Sequence, residues 1–514
     1  MAITGTRIDA VGGNASIRAH AGPKARVIDL GGRTVLPGII DSHTHLWQGA
    51  VALHGFNLAT PEVYIDPRNE SELVAAIKSY AAKHPRDKVL FGRANFKNDV
   101  RHEVLDRAVS DRPVVVHAVT EHEYWVNAKA LALAGVSREP VADPGLEKLV
   151  VRDSDGYPTG VFLEAAMKLI DQALPVQPLG EQLAWLREAV QYLNRFGITS
   201  VTNATGSLAE MKLYAALRDR GQLSLRVRMA LGGGGEKLNL TPEFIASLAQ
   251  ARTSYHDEWL SADVVKLNSD GDGGPPFYNP AELTRIVLEI DKLGYQIMTH
   301  AIGSASTHMV LDAYEEAQSA NLPRDRRFRI EHVFRVQPSD VHRFKSLSVT
   351  ASMQPYVCCW ADSPEKPTNA WQTLSRNGAN LAFGSDWPVS WPPNPFLGIQ
   401  QAVMRYVRPV FEAPPPTSSP TIYTTPDERL SLEQAVAAYT RGGAFARFSE
   451  NYIGTLESGK QADLIVLSQD IFTVPSSEIS KTRVVMTMIA GRTVFDAWTQ
   501  KEGVARAGSA LPRQ

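Results

Sequence analysis

A strand–helix alternation repeating about every 30 residues constrains the fold of this 514-residue chain more than any other feature. The strand-like segments are 198–203 (ITSVTN), 225–231 (LRVRMAL), 263–268 (DVVKLN), 295–301 (YQIMTHA), 328–333 (FRIEHV), 349–354 (VTASMQ) and 381–386 (LAFGSD). Helix-like stretches such as 281–293 and 304–320 lie between them. Alternation of this kind builds βαβ units and a parallel sheet. Segment 34–45 (TVLPGIIDSHTH) supplies an eighth strand, and eight parallel strands close a (β/α)8, TIM-like barrel.

A barrel of about 250 residues leaves much of the chain over. Between His45 and Ile198 lie 152 residues where one helix would serve. That stretch has helix-like runs of its own (71–83, 124–134 and 180–196) and strand-like runs (88–91 and 114–119). It reads as an inserted lid or subdomain over 61–195, on the face that carries the loops following the strands. Both chain ends hold short β-like runs broken by glycine turns, which predicts a small composite β-sandwich from 1–36 and 440–514. Residues 37–60 and 196–439 are left for the barrel, and 503–514 for a frayed tail.

Charge and cysteine usage exclude several classes. Lys plus Arg number 53 against 55 Asp plus Glu, a net charge of −2, with no basic stripe for a nucleic-acid backbone. No segment reaches the roughly 18 uncharged apolar residues of a membrane span, and the N-terminus lacks the pattern of a signal peptide. Cys358 and Cys359 are sequence neighbours, about 3.8 Å apart at Cα, below the usual disulfide span. The expectation is a cytoplasmic protein acting on a small molecule, with a homodimer as the assembly to test.

Chemistry enters with the placement of a few polar residues. His43 and His45, two apart at the end of a strand, share one face and point into the barrel mouth. Alone, His-x-His is a weak metal signal. Lys266, His300, His332 and Asp386 follow, near the ends of the fourth, fifth, sixth and eighth strands. All keep the same phase of the repeat, which unrelated core residues would have no reason to do, and barrel enzymes draw their catalytic groups from that face. Imidazoles and a carboxylate suit a borderline divalent ion, zinc first, with manganese, iron, cobalt or nickel as the other choices. Such an ion activates water and polarises a carbonyl, while Asp386 can accept and return a proton. Lys266 leaves two readings open: a carbamate formed with CO₂, able to bridge two ions, or an ammonium paired with Asp270 or a substrate carboxylate.

TVLPGIIDSHTHL, the ordered Lys, His, His and Asp, and IGTLESGKQADLIVL resemble the amidohydrolase superfamily of metal-dependent hydrolases. HAIGSAS, RIEHV, FGSDWPVSWPPNPFLGIQQAVMR, EHEYWVNAKALALAG and DGYPTGVFLEAA are similar to its amidohydrolase-3 branch, the YtcJ-like and N-substituted formamide deformylase-like proteins. The resemblance implies C–N bond hydrolysis by one or two metal ions, with His43, His45, His300 and His332 as ligands. It also implies a carboxylated Lys266, and Asp386 as general base and ligand. The favoured substrate is a small apolar or aromatic N-acyl or N-formyl compound. A cyclic amide, imidazolone or carbamate hydrolase or a deaminase is the alternative, and a non-catalytic metal-binding barrel the reading from another class. Asn268 and Ser304–Ala305 depart from the branch pattern beside the expected pocket, and the chain reads as starting late, without the strand that usually precedes GTRIDAVGG, so a short sandwich is expected.

Substrate contacts are expected from His122 and Asn127 in the insertion, from Asn268 and Asp270, and from Trp360 and Trp387. The two tryptophans belong to a group, with Trp371 and Trp391, in the loops after the seventh and eighth strands, where they would form an aromatic pocket. The glycine run 232–235 lacks the Lys-Ser/Thr ending of a phosphate cradle and reads as a flexible site-rim loop.

Overall fold

A computed structural model describes residues 1–58, 69–95, 100–119, 122–233, 237–271, 273–357, 368–405 and 427–498. Its centre is an eight-stranded, all-parallel, nearly closed barrel. In chain order the strands are β1 (Ile39–Thr44), β2 (Ile198–Gly206), β3 (Arg226–Gly232), β4 (Leu260–Asn268), β5 (Gln296–Ala301), β6 (Arg329–His332), β7 (Thr350–Met353) and β8 (Asn380–Phe383). Each pairs in parallel with the next. The seam between β8 and β1 is closed by the segment after β8: Asp386 N–H donates to the His43 carbonyl at 2.7 Å, and His45 N–H to the Trp387 carbonyl at 2.7 Å. The eight expected strands are all present, several lengthened or trimmed by a residue or more.

The strands read as continuous apolar runs because both faces are covered. One apolar core joins the outer barrel face to the surrounding helices, from Ile39 and Val201 to Ile297, Ile330 and Phe383. Helix α1 (Leu46–His54) begins directly after His45 and packs on helix α2 (Leu179–Arg195). Leu183, Leu186, Ala189, Val190 and Leu193 lie three or four apart along α2, so they fall on one stripe. All five are buried in the barrel core.

Between α1 and α2 stands a separate six-stranded sheet of mixed direction, with edge strands Phe56–Asn57 and Val150–Arg152 and two apolar clusters of its own. The stretch 124–134, expected as one helix, divides instead. Glu123–Val126 is a strand and Ala128–Leu133 a helix, because aromatic and β-branched residues suit a pleated, half-buried surface while Asn127 caps the following turn. The chain ends form two small antiparallel sheets around an apolar cluster of Ile8, Leu464, Val466, Met486 and Met488. Strand Val35–Pro37 pairs with Leu464–Leu467. Contrary to the expected late start, a short strand, Ala2–Thr4, precedes the Gly5 turn and pairs with Arg7–Ala10. Among the described residues no helix is long and apolar enough to cross a membrane.

Candidate active site

Asp41, His43 and His45 alternate along β1 and its end, so they share the inner face of the barrel. Asp41 serves the seam: its carboxylate accepts from Ser385 N–H at 2.9 Å, Ser385 Oγ–H at 2.5 Å and His43 N–H at 3.2 Å. Burial pushes its pKa up to about 7 despite these donors.

His43 Nδ1 lies 2.6 Å from Glu331 Oε2. A carboxylate so placed takes the Nδ1–H, leaving the lone pair on Nε2. Glu331 is itself clamped by Arg329, whose Nε and Nη2 donate to its two oxygens at 2.9 and 3.0 Å. Burial opposes the charge on Glu331, but the Arg329 guanidinium and His43 hold its carboxyl far below the usual range. His332 is set the same way, with Nδ1 2.7 Å from Gln354 Oε1, an acceptor, so its Nε2 also carries a lone pair. Burial brings the His332 imidazole down to about 3.

Three residues in left-handed backbone conformations, at two places in the chain, bring these groups together. Along β6 Arg329 and Glu331 share the inner face, so plain alternation would turn His332 outward. Positive φ at His332 (73°) and Val333 (47°) ends the alternation. Asp386 has φ 58° in the loop after β8. Non-glycine residues in this region carry strain, and such strain gathers at functional sites.

The result is a buried cluster in which ligand atoms of His43, His332 and Asp386 all lie within 4.8 Å of one another. His43 Nε2 and Asp386 Oδ1 are buried and make no hydrogen bond, although His43 Nε2 and His45 Nε2 approach that oxygen to 3.5 and 3.2 Å. Burial opposes ionisation of Asp386, and the surrounding imidazoles, His43 foremost, hold its carboxyl well below the usual range. Two buried lone-pair nitrogens and an ionised oxygen with unspent acceptor capacity are a donor set that fits a divalent ion.

The other candidates flank this cluster. The His300 and His332 rings lie 4.4 Å apart, but His300 Nε2 is 3.0 Å from the Gly271 carbonyl. Lys266 is buried on β4, its stem passing where a Cβ on Gly233 would sit 2.4 Å from its Cγ, so that position of the rim loop (φ 79°) needs glycine. Burial lowers the Lys266 ammonium to about 8, with Glu331 and Asp386 opposing the shift. No ion pair joins Lys266 to Asp270. Asp270 instead accepts from Ile302 N–H at 3.0 Å and Gly303 N–H at 2.8 Å, which ties down the loop after β5.

The sequence profile of the amidohydrolase family matches residues 26–495. The chain belongs to the amidohydrolase family. It is a metal-dependent amidohydrolase. Similar curated proteins include LONG AFTER FAR-RED 3 of Arabidopsis thaliana, 29% identical over 96% of this chain and 88% of that one. YtcJ of Bacillus subtilis is 26% identical over 93% and 92%, and the N-substituted formamide deformylase of Arthrobacter pascens 24% over 95% and 93%. Among solved structures, an uncharacterized metal-dependent hydrolase from Pyrococcus furiosus superposes with a TM-score of 0.67 at 25% identity, covering 91% of this chain and 94% of that one.

In this amidohydrolase the metal-ligand candidates open into a cavity of about 470 Å³, lined also by His122, Glu164, Asn268, Asp270, Phe277 and Phe334. His122 comes from the insertion, directly before strand Glu123–Val126, with Nδ1 2.8 Å from Glu164 Oε1 and its ring 6.4 Å from that of His300. Asn268 lines the wall and donates to the Gly233 carbonyl at 3.1 Å. Two expected contacts do not reach the cavity. Asn127 is buried, its Oδ1 accepting from Val114 and Ala130 N–H at 3.0 Å each, because a cap satisfies backbone donors that nothing else reaches. Trp387 is fully buried, since glycine at position 49 of α1 leaves room for its indole against the helix. Trp371 is buried as well, and Trp391 stacks on Tyr192, so these three pack the fold rather than form an aromatic pocket. Trp360, Cys358 and Cys359 lie outside the described residues. Glu331, Arg329, Gln354 and Asp41 were not among the expected site residues, although Arg329 and Glu331 sit in RIEHV at the spacing of two that marks one strand face.

Proposed function

We propose that this amidohydrolase cleaves the C–N bond of a small N-acyl or N-formyl compound with water, releasing a carboxylic acid and an amine. His43, His332 and Asp386 would hold a divalent ion, zinc by preference, with His45, His300 and Lys266 placed for a second position. The carrying observation is the pair of buried, unsatisfied acceptors, His43 Nε2 and Asp386 Oδ1, which converge beside His332 in the barrel mouth. Similarity to an enzyme named for deformylating N-substituted formamides supports the substrate class.

When bound, the ion supplies a Lewis acid for the amide carbonyl and brings the pKa of a water down toward about 7. The chain's own residues do the rest. Glu331 and Gln354 fix the tautomers of His43 and His332. Asp386, ionised at neutral pH, takes a proton from the attacking water and returns it to the departing nitrogen. Burial lowers the Lys266 ammonium to about 8, which favours the free amine, the form that adds CO₂ with release of a proton to give a carbamate.

Chelation is expected to abolish hydrolysis of N-formyl and N-acyl amides, and Zn²⁺ to restore it. Asp386→Asn should lower kcat about 10²–10⁴-fold. Undiminished turnover without metal, or none by the metal-loaded protein across amides, esters and lactams, would overturn the reading. For the carbamate, Lys266→Ala should lose activity that short carboxylic acids restore; full activity without them would exclude it.

A further inference from the structure

His45 stands where a helix needs a cap and supplies none. It is the N-cap residue of α1, yet its side chain makes no hydrogen bond to the first turn. The first N–H groups of a helix have no partner within it, and Ser, Thr, Asp or Asn at the N-cap usually answers one of them. The His45 ring is turned to the metal-ligand cluster instead, with Nε2 3.2 Å from Asp386 Oδ1. Leu46, the first residue of α1, is fully buried, and its N–H is answered from another strand: it donates to Asn203 Oδ1 at 2.7 Å.

Asn203 lies on β2 and faces away from the barrel interior. Thr202, one residue before it, accepts from Arg329 Nη1 inside the barrel at 3.3 Å, so alternation turns Asn203 outward to the helices. Its Nδ2 donates to the Thr205 carbonyl at 2.8 Å and to Glu210 Oε1 at 3.1 Å. Glu210 belongs to the helix Leu208–Asp219, and the Tyr214 hydroxyl donates to the same Glu210 oxygen. Two acceptors on one side and a donor on the other fix which way the Asn203 amide points. The His45 backbone is thereby pinned twice, at its own N–H by the Trp387 carbonyl and at the next N–H by Asn203.

We propose that Asn203 is a positioning residue for His45: it caps α1 in place of the N-cap side chain, which leaves the imidazole to the metal position. Asn203 does not line the active-site cavity, and it acts through the His45 backbone. The inference deepens the proposed hydrolysis and rests on it for the ion that His45 serves.

A double-mutant cycle tests it, because residues that act through one another do not add. Zn²⁺ binding to the metal-free protein is titrated against a chromophoric chelator, each equivalent being followed, in the unaltered chain, His45→Gln, Asn203→Leu and the double variant. His45→Gln identifies the equivalent that His45 serves. Asn203→Leu is expected to weaken that equivalent about tenfold or more, as loss of an outer support does, and by less than about twofold in the His45→Gln background. Asn203→Asp keeps the acceptor for Leu46 N–H. At pH 6 Glu210, pushed up to about 7 by burial, holds a proton to donate to the added carboxylate. This variant should therefore bind Zn²⁺ within about threefold of the unaltered chain at that pH. Should Asn203→Leu fail to fold, Asn203→Ser, too short to reach the Leu46 N–H, takes its place in the cycle. Equal losses in both backgrounds, or a lower stability in urea with Zn²⁺ affinity unchanged, would make Asn203 purely structural and overturn the inference. So would His45→Gln that leaves every equivalent unchanged. The expected cycle in a protein that hydrolyses no amide would instead overturn the proposed reaction and leave the role of Asn203 standing.

Discussion

At the scale of single residues the site depends on one proton. Glu331 holds it on His43 Nδ1, and Arg329 holds Glu331, so the His43 lone pair is aimed at the cluster before any ion arrives. Glu331→Gln keeps the shape but can present its amide N–H₂ to Nδ1, which favours the wrong tautomer. The expected outcome is a 10–100-fold loss of metal affinity, read by competition with a chromophoric chelator, with far-UV circular dichroism unchanged. Unchanged affinity would mean that Glu331 is only a structural partner of Arg329. Outside the cluster, Glu210 is buried against Tyr214 and Asn203, and burial pushes its carboxyl up to about 7. A raised acid favours the folded state while protonated, so its contribution is full below about pH 4.5 and is lost as pH rises through 7. Glu210→Gln is therefore expected to flatten the fall in stability between about pH 4.5 and 7, by at most about 1.4 kcal/mol per pH unit. Urea denaturation at several pH values checks this, and identical slopes in both proteins would refute it.

Elements set how much of the site was legible in advance. His43, His45, Lys266, His300, His332 and Asp386 were visible because each recurs at the end of a strand, and a repeat exposes phase. Glu331 was not, since a carboxylate inside a strand signals nothing until its neighbours across the barrel are known. Asn127 and Trp387 misled for the opposite reason. A polar residue beside a pocket motif and an indole in a loop look like recognition, but one caps a helix and the other fills the space over Gly49. Helix α2 shows the same limit. Its stripe of Leu183, Leu186, Val190 and Leu193 was legible as amphipathic, while its partner, the barrel core, was not. Leu186→Ala is expected to cost about 2–5 kcal/mol in chemical denaturation, as a buried core truncation does. A loss under 0.5 kcal/mol would show that α2 is not part of that core.

At the scale of the whole molecule, the barrel supplies the cluster and the insertion supplies His122 and Tyr124 to the wall of its cavity. Alternation alone implied the barrel and placed the insertion over its mouth. The cavity between α1, α2 and the inserted sheet could not be read that way, because Trp47, Phe91 and Trp185 line it only when three distant segments pack together. The central claim is that His43, His332 and Asp386 bind the ion on which hydrolysis depends. Anomalous X-ray diffraction at the zinc edge from zinc-loaded crystals tests it most directly. The expected result is a peak within about 2.0–2.2 Å of His43 Nε2, a His332 nitrogen and an Asp386 oxygen. A fully active protein whose zinc peak lies elsewhere, with none at this cluster, would contradict it.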